Sequence, residues 1–221
     1  MSGIIGVDEA GRGPVFGSLF VAAVAAESTA VLPDGVADSK ALSPARRSEL
    51  ATMLATDAGI DIAVVEVTPD RIDASHTTLL DIVAQSFAAV IDKVWMPSME
   101  VVTDTGEANT TRFADRVQQH LDHDIDITAL VKADISEPIV SAASIIAKER
   151  REQHIARLQE RFGDIGSGYP SDPTTRAYLA SYLDEHGDLP PIARQSWQTC
   201  QDAIAAYEQA SFDRFLATGD D

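Results

Sequence analysis

Four carboxylates in this sequence lie where predicted strands end, and their residue types suggest metal-dependent chemistry. They are Asp8, Glu9, Asp104 and Asp134. They follow or close the segments 4–7, 99–104 and 125–131, which have the composition of buried strands. Neighbouring strands are only ~4.8 Å apart, so acids at one edge of a sheet can converge on a pair of ions. Oxygen ligands without histidine or cysteine favour Mg²⁺ or Mn²⁺ over zinc, and we predict a site for two such divalent cations.

Taken singly, each acid has a simpler interpretation as a solvated residue. Asp8 and Glu9 could end an ordinary strand before a tight turn, and Asp104 and Asp134 could be loop acids. The prediction of a metal site therefore depends on three acidic strand ends occurring in one sheet. Clustered carboxylates repel one another and hold protons unless cations neutralise them. Two ions would suit displacement at phosphorus, one activating water and the other stabilising the leaving oxygen.

Two glycine-rich loops could bring the backbone close to a ligand. Residues 11–14, Gly-Arg-Gly-Pro, follow the first pair of acids; the glycines permit close approach and the arginine supplies a guanidinium. The second loop, residues 166–173, contains Tyr169 and ends with Asp172 as a predicted helix N-cap before a proline. An isolated tyrosine in such a loop would ordinarily be a core residue, so its type alone assigns it no role.

The elements that must position these residues alternate between strands and helices. The alternation is typical of an α/β protein in which strands feed helices that pack back on the sheet. Segments 4–10 and 16–26 are expected to pair as a hairpin. The remaining predicted strands are 60–67, 99–104 and 125–131, and the predicted helices are 44–56, 77–94, 109–121, 136–162 and 199–216, with an apolar helical stripe at 178–183.

The composition is strongly acidic. The 221 residues include 35 Asp and Glu against 17 Lys and Arg, which gives a formal charge of −18. Nucleic-acid-binding proteins normally show the opposite sign. Either the partner is not a polyanion, or the surface is adapted to molar salt, where the Debye length falls to about 3 Å. Aspartate outnumbers glutamate and lysine occurs only four times, which favours the second interpretation and predicts a halophilic protein.

The sequence predicts neither a membrane segment nor a disulfide framework. No uninterrupted apolar stretch approaches twenty residues, and the first strand begins too close to Met1 to leave room for a signal peptide. Cys200 is the single cysteine, and we expect a buried structural thiol in a reducing compartment. The five histidines show no metal-ligand spacing. We predict a cytoplasmic, monomeric protein.

The motifs occur in the order found in ribonuclease HII, the type 2 ribonuclease H family, and the sequence closely resembles an archaeal member of it. One departure is Val131, where relatives commonly have histidine. The resemblance implies an α/β fold, a ribonuclease H-like mixed β-sheet flanked by helices, with a helical C-terminal extension. It implies a catalytic core at 1–163, and a substrate loop with C-terminal helices at 164–217 of the same domain. The matching segments are 8–14, 38–40, 132–134, 140–148, 168–175 and 194–197.

The resemblance also implies a metal-dependent endoribonuclease that acts in DNA replication and repair. Such an enzyme hydrolyses the RNA strand of RNA–DNA hybrids and cuts 5′ of single ribonucleotides embedded in duplex DNA, leaving 5′-phosphate and 3′-hydroxyl ends. In the family the Gly-Arg-Gly triplet reads the 2′-hydroxyl and the loop tyrosine packs on the neighbouring sugar. The implied catalytic and metal-binding residues are Asp8, Glu9, Asp104 and Asp134. The implied substrate-binding residues are Gly11, Arg12, Gly13 and Tyr169, with Lys40 and Lys132 as candidates for phosphate contact.

Other functions remain open at this point. A non-catalytic hybrid-binding module would keep the glycine loop but need not keep all four carboxylates. A metal-dependent phosphatase acting on small phosphoesters would use clustered acids but would not need both loops. Ribonuclease HIII is a nearer relative, but it normally carries an extra N-terminal domain, whereas here Ile4 starts the first strand. The C-terminus shows no obvious clamp-binding peptide, so we predict no sliding-clamp partner.

Overall fold

The computed structural model of the protein describes residues 3–36, 42–74 and 76–218. Lys40, one of the two lysines predicted to contact phosphate, lies outside the described residues. Within these three ranges, no helix has both the length and the apolar character needed to cross a membrane.

The chain forms two compact units, each assembled from separate stretches of sequence. The first unit contains the carboxylates predicted to bind metal, and the second contains the loop with Tyr169. The predicted boundary at residue 163 stays a prediction. The first unit comprises residues 1–11, 19–67 and 76–152, and the second comprises residues 12–18, 68–75 and 153–221.

The first unit is built on a mixed sheet. Within the described residues its five strands are β1 Gly3–Ala10, β2 Leu19–Ala26, β3 Ile60–Val67, β4 Met99–Asp104 and β5 Ile127–Leu130. Their spatial order is β3–β2–β1–β4–β5. β2 pairs antiparallel with both β1 and β3, whereas β1, β4 and β5 run parallel. The carboxyl ends of the three parallel strands therefore meet at one edge of the sheet.

The helices begin where the sequence supplies capping residues. Ser43 accepts a hydrogen bond from the Arg46 N–H at the start of the first helix, and Thr78 and Asp81 form a reciprocal capping box at the third. The helices are α1 Pro44–Thr56, α2 Pro69–Asp73, α3 Leu79–Val94, α4 Thr110–Gln118, α5 Ala133–Ser136, α6 Pro138–Phe162, α7 Pro173–His186 and α8 Gln198–Thr218.

The core of the first unit lies on both faces of β2, whose eight residues are all buried. Ala22 and Val24 point to one face, where they belong to an apolar cluster with Leu50 of α1 and Ile145 of α6. Helix α3 contacts β1, β2 and β3. Helices therefore flank the sheet, as the α/β interpretation predicts.

Helix α6 packs directly against β1 at a glycine. A Cβ atom added to Gly6 would lie 2.3 Å from the backbone carbonyl carbon and oxygen of Ile139, so a larger residue would have to displace the helix backbone. The absence of a side chain at this position lets the first turns of α6 approach the strand that carries Asp8 and Glu9.

The second unit packs its helices around the short segment 12–18. Val15 and Phe16 lie in a buried cluster with Ile165, Leu179 and Cys200. The predicted buried thiol is confirmed, and burial raises the pKa of Cys200 to about 11. A thiol with this pKa is a poor nucleophile at neutral pH, which agrees with a structural role.

The predicted fold class is confirmed, and the bounds of α1, β3 and β4 match the sequence expectations. Several other bounds differ, and two of these differences bear on the predicted site residues. β2 begins at Leu19 and not at residue 16, because Phe16 forms an isolated bridge with Ala193. β5 ends at Leu130, and Asp134 lies in α5 and not at the strand end, because Lys132 takes a left-handed conformation with φ 60° and turns the chain.

Candidate active site

The carboxyl ends of the parallel strands bring the predicted acids to one edge of the sheet. Val7 pairs with Thr103 in parallel register. The next residue of each strand is a predicted ligand, Asp8 in β1 and Asp104 in β4, so these two lie side by side. Asp134 follows β5 in the first turn of α5. Asp8 is only 5% exposed and Asp134 only 7% exposed, which is unusual for carboxylates.

The environment of Asp8 disfavours its charged form. Burial raises the pKa of Asp8 well above its usual range, and the negative charges of Glu9 and Asp104 raise it further. The Ser144 hydroxyl on α6 and the Glu9 N–H, which donates to Asp8 Oδ1 at 2.7 Å, lower this pKa but do not outweigh the burial. A carboxylate in this position gains from a bound cation more than an exposed one would.

Backbone geometry after β5 fixes two of the acids. The N–H of Ala133 donates to Asp104 Oδ1 at 2.6 Å, and the left-handed turn at Lys132 presents this N–H. Asp134 Oδ2 lies 3.9 Å from Lys148 Nζ on α6, so an ammonium group already stands near one carboxylate. The segment 132–134 therefore both contributes a carboxylate and orients the one on β4.

The donor set suits divalent cations that prefer oxygen ligands. All four predicted ligands are carboxylates, and the raised pKa of Asp8 is a perturbation that a bound cation would reverse. As the side chains stand, no group of three or more acidic, histidine or cysteine residues in the described part of the chain is arranged to hold a metal ion. The sheet edge nevertheless makes Asp8 and Asp104 neighbours.

In the second unit, Gly13 and Tyr169 lie next to each other. A Cβ atom added to Gly13 would lie 3.7 Å from Tyr169 Cε1. Gly13 is exposed and Tyr169 is 38% exposed, so the glycine backbone and the ring share an accessible surface. The expectation of a core tyrosine, which an isolated residue of this type would suggest, does not apply here.

The loop that carries Tyr169 is held by its own side chains. Asp172 Oδ2 accepts from the Ser167 N–H at 2.7 Å and from the Ser167 hydroxyl at 2.6 Å, and these bonds lower the pKa of Asp172. Thr175 Oγ1 accepts from the Gly168 N–H at 2.9 Å. The Gly168 carbonyl in turn accepts from the Val15 N–H at 2.8 Å, which ties this loop to the segment 12–18.

Sequence reasoning missed two residues that hold the segment 12–18. Arg194 is fully buried and donates to the carbonyls of Arg12 and Gly17, each at 3.0 Å. Trp197 donates from Nε1 to the Gly13 carbonyl at 3.2 Å. The matching segment 194–197 contained both residues, and an arginine among mostly apolar neighbours is the signal that could have indicated a buried structural role.

The predicted site residues thus fall into two groups. Asp8, Glu9, Asp104 and Asp134 lie at one sheet edge of the first unit, and Lys132 is exposed beside them at the start of α5. Gly11 is the last residue of the first stretch of the first unit and has a φ of 88°. Arg12, Gly13 and Tyr169 belong to the second unit. The chemical role assigned to each residue stays a prediction.

Comparison with known proteins identifies the class. The family model described as ribonuclease HII matches residues 5–200. Ribonuclease HII of Natronomonas pharaonis is 46% identical over 97% of this chain and its full length, and that of Halobacterium salinarum is 47% identical over 95% of this chain and 98% of its own. These relatives come from haloarchaea, in agreement with the salt-adapted composition.

Solved structures agree. The ribonuclease H2 of Pyrococcus horikoshii has a TM-score of 0.87 and 36% identity, covering 94% of this chain and 99% of that one. Ribonuclease HII of Archaeoglobus fulgidus, solved in complex with PCNA, has a TM-score of 0.80 and 36% identity, covering 88% and 95%. A ribonuclease HIII solved with Mn²⁺ has a TM-score of 0.75 at 21% identity, covering 94% and 70%, and supports the fold alone.

The mixed sheet and these matches place the chain in the class of ribonuclease H-like nucleases that depend on divalent metal. Within that class, the family model and the relatives that match most of the chain indicate one family. The chain belongs to the ribonuclease HII family.

Proposed function

We propose that the protein hydrolyses the RNA strand of RNA–DNA hybrids and incises 5′ of single ribonucleotides embedded in duplex DNA, leaving 5′-phosphate and 3′-hydroxyl ends. The observation that carries this proposal is the carboxylate edge, where Asp8 and Asp104 lie side by side and burial raises the pKa of Asp8. Buried carboxylates that repel one another destabilise a sheet edge that has only a structural role. A phosphodiesterase that uses two cations, in contrast, needs carboxylates as ligands.

Asp8, Glu9, Asp104 and Asp134 would hold two divalent cations, Mn²⁺ or Mg²⁺. When bound, the cations supply activation of a water and stabilisation of the leaving 3′ oxygen. The chain's own contribution is orientation. The Ala133 N–H fixes one oxygen of Asp104 and with it the orientation of that carboxylate. Lys148 reduces the repulsion that Asp134 exerts on its neighbours.

Recognition of RNA requires a group that senses the 2′-hydroxyl. We assign this to Gly11, Arg12 and Gly13, where small residues allow backbone groups to reach the sugar. Tyr169 would pack its ring on the neighbouring sugar. The exposure of Gly13 and its position next to the Tyr169 ring support this assignment. Lys132, exposed at the start of α5, would contact phosphate, and the same role is proposed for Lys40.

The test uses an end-labelled DNA duplex with one ribonucleotide, incubated in molar KCl with Mn²⁺ or Mg²⁺. We expect one cut on the 5′ side of the ribonucleotide that is absent with EDTA. Cleavage of an RNA–DNA hybrid but not of this duplex would keep the nuclease and refute the proposed reading of a single ribonucleotide. Folded protein that cuts neither substrate would refute the proposal as a whole.

We further propose that the protein acts as a monomer in the cytoplasm and without a sliding clamp. The relative from Archaeoglobus fulgidus was solved with PCNA, so the proposal on the clamp needs its own test. Phe212 on α8 is 58% exposed and is the natural site to probe. Size-exclusion chromatography should show no co-elution with a clamp. Co-elution that Phe212→Ala abolishes would refute this proposal.

A further inference from the structure

Arg194 organises the backbone of the segment 12–18 in the second unit. Its Nη1 donates to the Arg12 carbonyl and its Nε to the Gly17 carbonyl, each at 3.0 Å. Its backbone N–H donates to the Val15 carbonyl at 2.8 Å. A planar guanidinium can serve two carbonyls at fixed angles, which a lysine ammonium on a flexible stem does less well. One residue therefore sets the positions of three carbonyls.

Trp197 completes this support. Its Nε1 donates to the Gly13 carbonyl at 3.2 Å, and its ring lies under the guanidinium of Arg194 with 4.9 Å between Cζ and the ring centroid. The Trp197 N–H also donates to the Arg194 carbonyl at 3.0 Å, so the two residues belong to one turn. Any movement of this turn is transmitted to the backbone of Arg12 and Gly13.

The turn is itself fixed by Asp73, the last residue of α2. Asp73 Oδ2 accepts from the Gln195 N–H at 2.7 Å. Asp73 Oδ1 accepts from the Ser196 N–H at 3.0 Å and from the Ser196 hydroxyl at 2.5 Å. An acid at the C-terminal end of a helix is unfavourable for the helix dipole. Three charge-assisted hydrogen bonds offset that cost and explain why a carboxylate stands there.

We propose that Asp73 is a positioning residue for ribonucleotide recognition. It holds the turn 194–197, and Arg194 and Trp197 in this turn hold the carbonyls of Arg12 and Gly13. The inference rests on the proposed function, because it assumes that these residues read the 2′-hydroxyl. In this proposal Asp73 acts through the turn and not by contact with the substrate.

The test compares Asp73→Asn with Asp70→Asn. Asp73→Asn replaces one acceptor oxygen by an amide that cannot accept from the Gln195 or Ser196 N–H. Asp70 is an exposed acid on the same helix, so its variant makes the same charge change without touching the turn. The readout is the inhibition constant of an all-DNA duplex divided by the KM for the same duplex with one ribonucleotide. This ratio measures discrimination by the 2′-hydroxyl.

We expect Asp73→Asn to lower this ratio about tenfold, through a higher KM, while the inhibition constant of the DNA duplex stays unchanged. Asp70→Asn should match the wild type. If the wild type discriminates and Asp73→Asn discriminates equally well, the inference is refuted and the proposed function stands. A wild type that does not cut the duplex with one ribonucleotide would refute the proposed function, and the inference with it, whereas a wild type that cuts this duplex with a ratio near one would refute the inference alone.

Two milder variants keep the test decisive should Asp73→Asn fold poorly. Ser196→Ala removes only the hydroxyl donated to Asp73, and Trp197→Phe removes the donor to the Gly13 carbonyl while keeping a ring under Arg194. Each should lower the ratio. When the two are combined, the effects should be less than additive, because both act through one turn. Independent, fully additive effects, or no effect of either, would refute the inference.

Discussion

Replacing Asp104 by asparagine should have opposite effects on two quantities. It should raise the stability of the metal-free protein and lower its affinity for divalent cations. The amide oxygen can still accept from the Ala133 N–H, so the turn after β5 keeps its hydrogen bond. Burial and Glu9 still raise the pKa of Asp8, but the additional rise caused by the negative charge of Asp104 disappears. At a pH above both the folded and the unfolded pKa, each unit by which the folded pKa falls stabilises the metal-free protein by about 1.4 kcal/mol. In EDTA, Asp104→Asn should therefore be more stable than the wild type.

In the presence of Mn²⁺, the wild type should be more stable than Asp104→Asn. At a free Mn²⁺ concentration one hundred times Kd, the wild type gains about 2.7 kcal/mol of stability. For a chain of this size, that corresponds to a rise in Tm of about 5–10 °C. If loss of one ligand weakens binding about a hundredfold, the same concentration stabilises the variant by only about 0.4 kcal/mol. The Tm of the variant should then rise by about 1 °C, and cleavage should be abolished.

The assay is thermal unfolding followed by circular dichroism in molar KCl, with EDTA or with a Mn²⁺ titration, alongside cleavage of the single-ribonucleotide duplex. Glu100→Gln is the matched control, since Glu100 is an exposed acid at the other end of the same strand. It should behave as the wild type in both measurements. Normal turnover by Asp104→Asn, or an unchanged Mn²⁺-induced rise in Tm, would refute the assignment of Asp104 as a ligand.

Three further predictions concern single residues. Tyr169→Ala should weaken cleavage at a single ribonucleotide about tenfold but reduce cleavage of long RNA–DNA hybrids less, because the proposed contact of the ring is with the sugar beside the ribonucleotide. Equal losses on both substrates would indicate a purely structural ring. Lys132→Gly should have a free energy of unfolding about 1 kcal/mol higher than that of Lys132→Ala, because φ is 60° at this position. Equal midpoints of urea unfolding for the two variants would contradict the left-handed turn. Because the folded-state pKa of Asp8 is raised, its contribution to stability is largest below the ordinary aspartate pKa of about 3.9 and is lost as pH rises through the raised value. In urea unfolding with EDTA, the stability of Asp8→Asn relative to the wild type should therefore increase as pH rises. Parallel stability profiles over pH would contradict a buried carboxylate that its neighbours repel.

Local sequence signals predicted the elements well where one segment determines its own structure. The Ser43 cap followed by proline placed the start of α1, and the alternation over 60–67 placed β3. The acidic strand ends were also found, because an Asp or Glu after an apolar run conflicts with strand propensity and calls for an explanation.

The features that the sequence did not reveal depend on contacts between distant segments. Phe16 looked like a strand residue, but its partner is Ala193. The left-handed turn at residue 132 is formed by a lysine, and neither a glycine nor an asparagine indicates it in the sequence. Asp73 ends a short helix with no motif of its own, and only the folded chain shows that its carboxylate holds the turn at 195–196. Residues of this kind carry no periodicity or spacing for sequence reasoning to detect.

The parallel pairing of β1 with β4 also has a consequence for how the molecule folds. Gly3 pairs with Met99, so this pairing closes a loop that contains β2, β3 and the first three helices. The hairpin of β1 and β2 can form early, because its strands are close in sequence, but Asp8 meets Asp104 only when the long loop closes. Charge repulsion is thus concentrated in a late step of assembly. Molar salt, or a cation captured as the strands dock, would speed that step, so the ionic environment of the cell would act as a folding aid as well as a solvent.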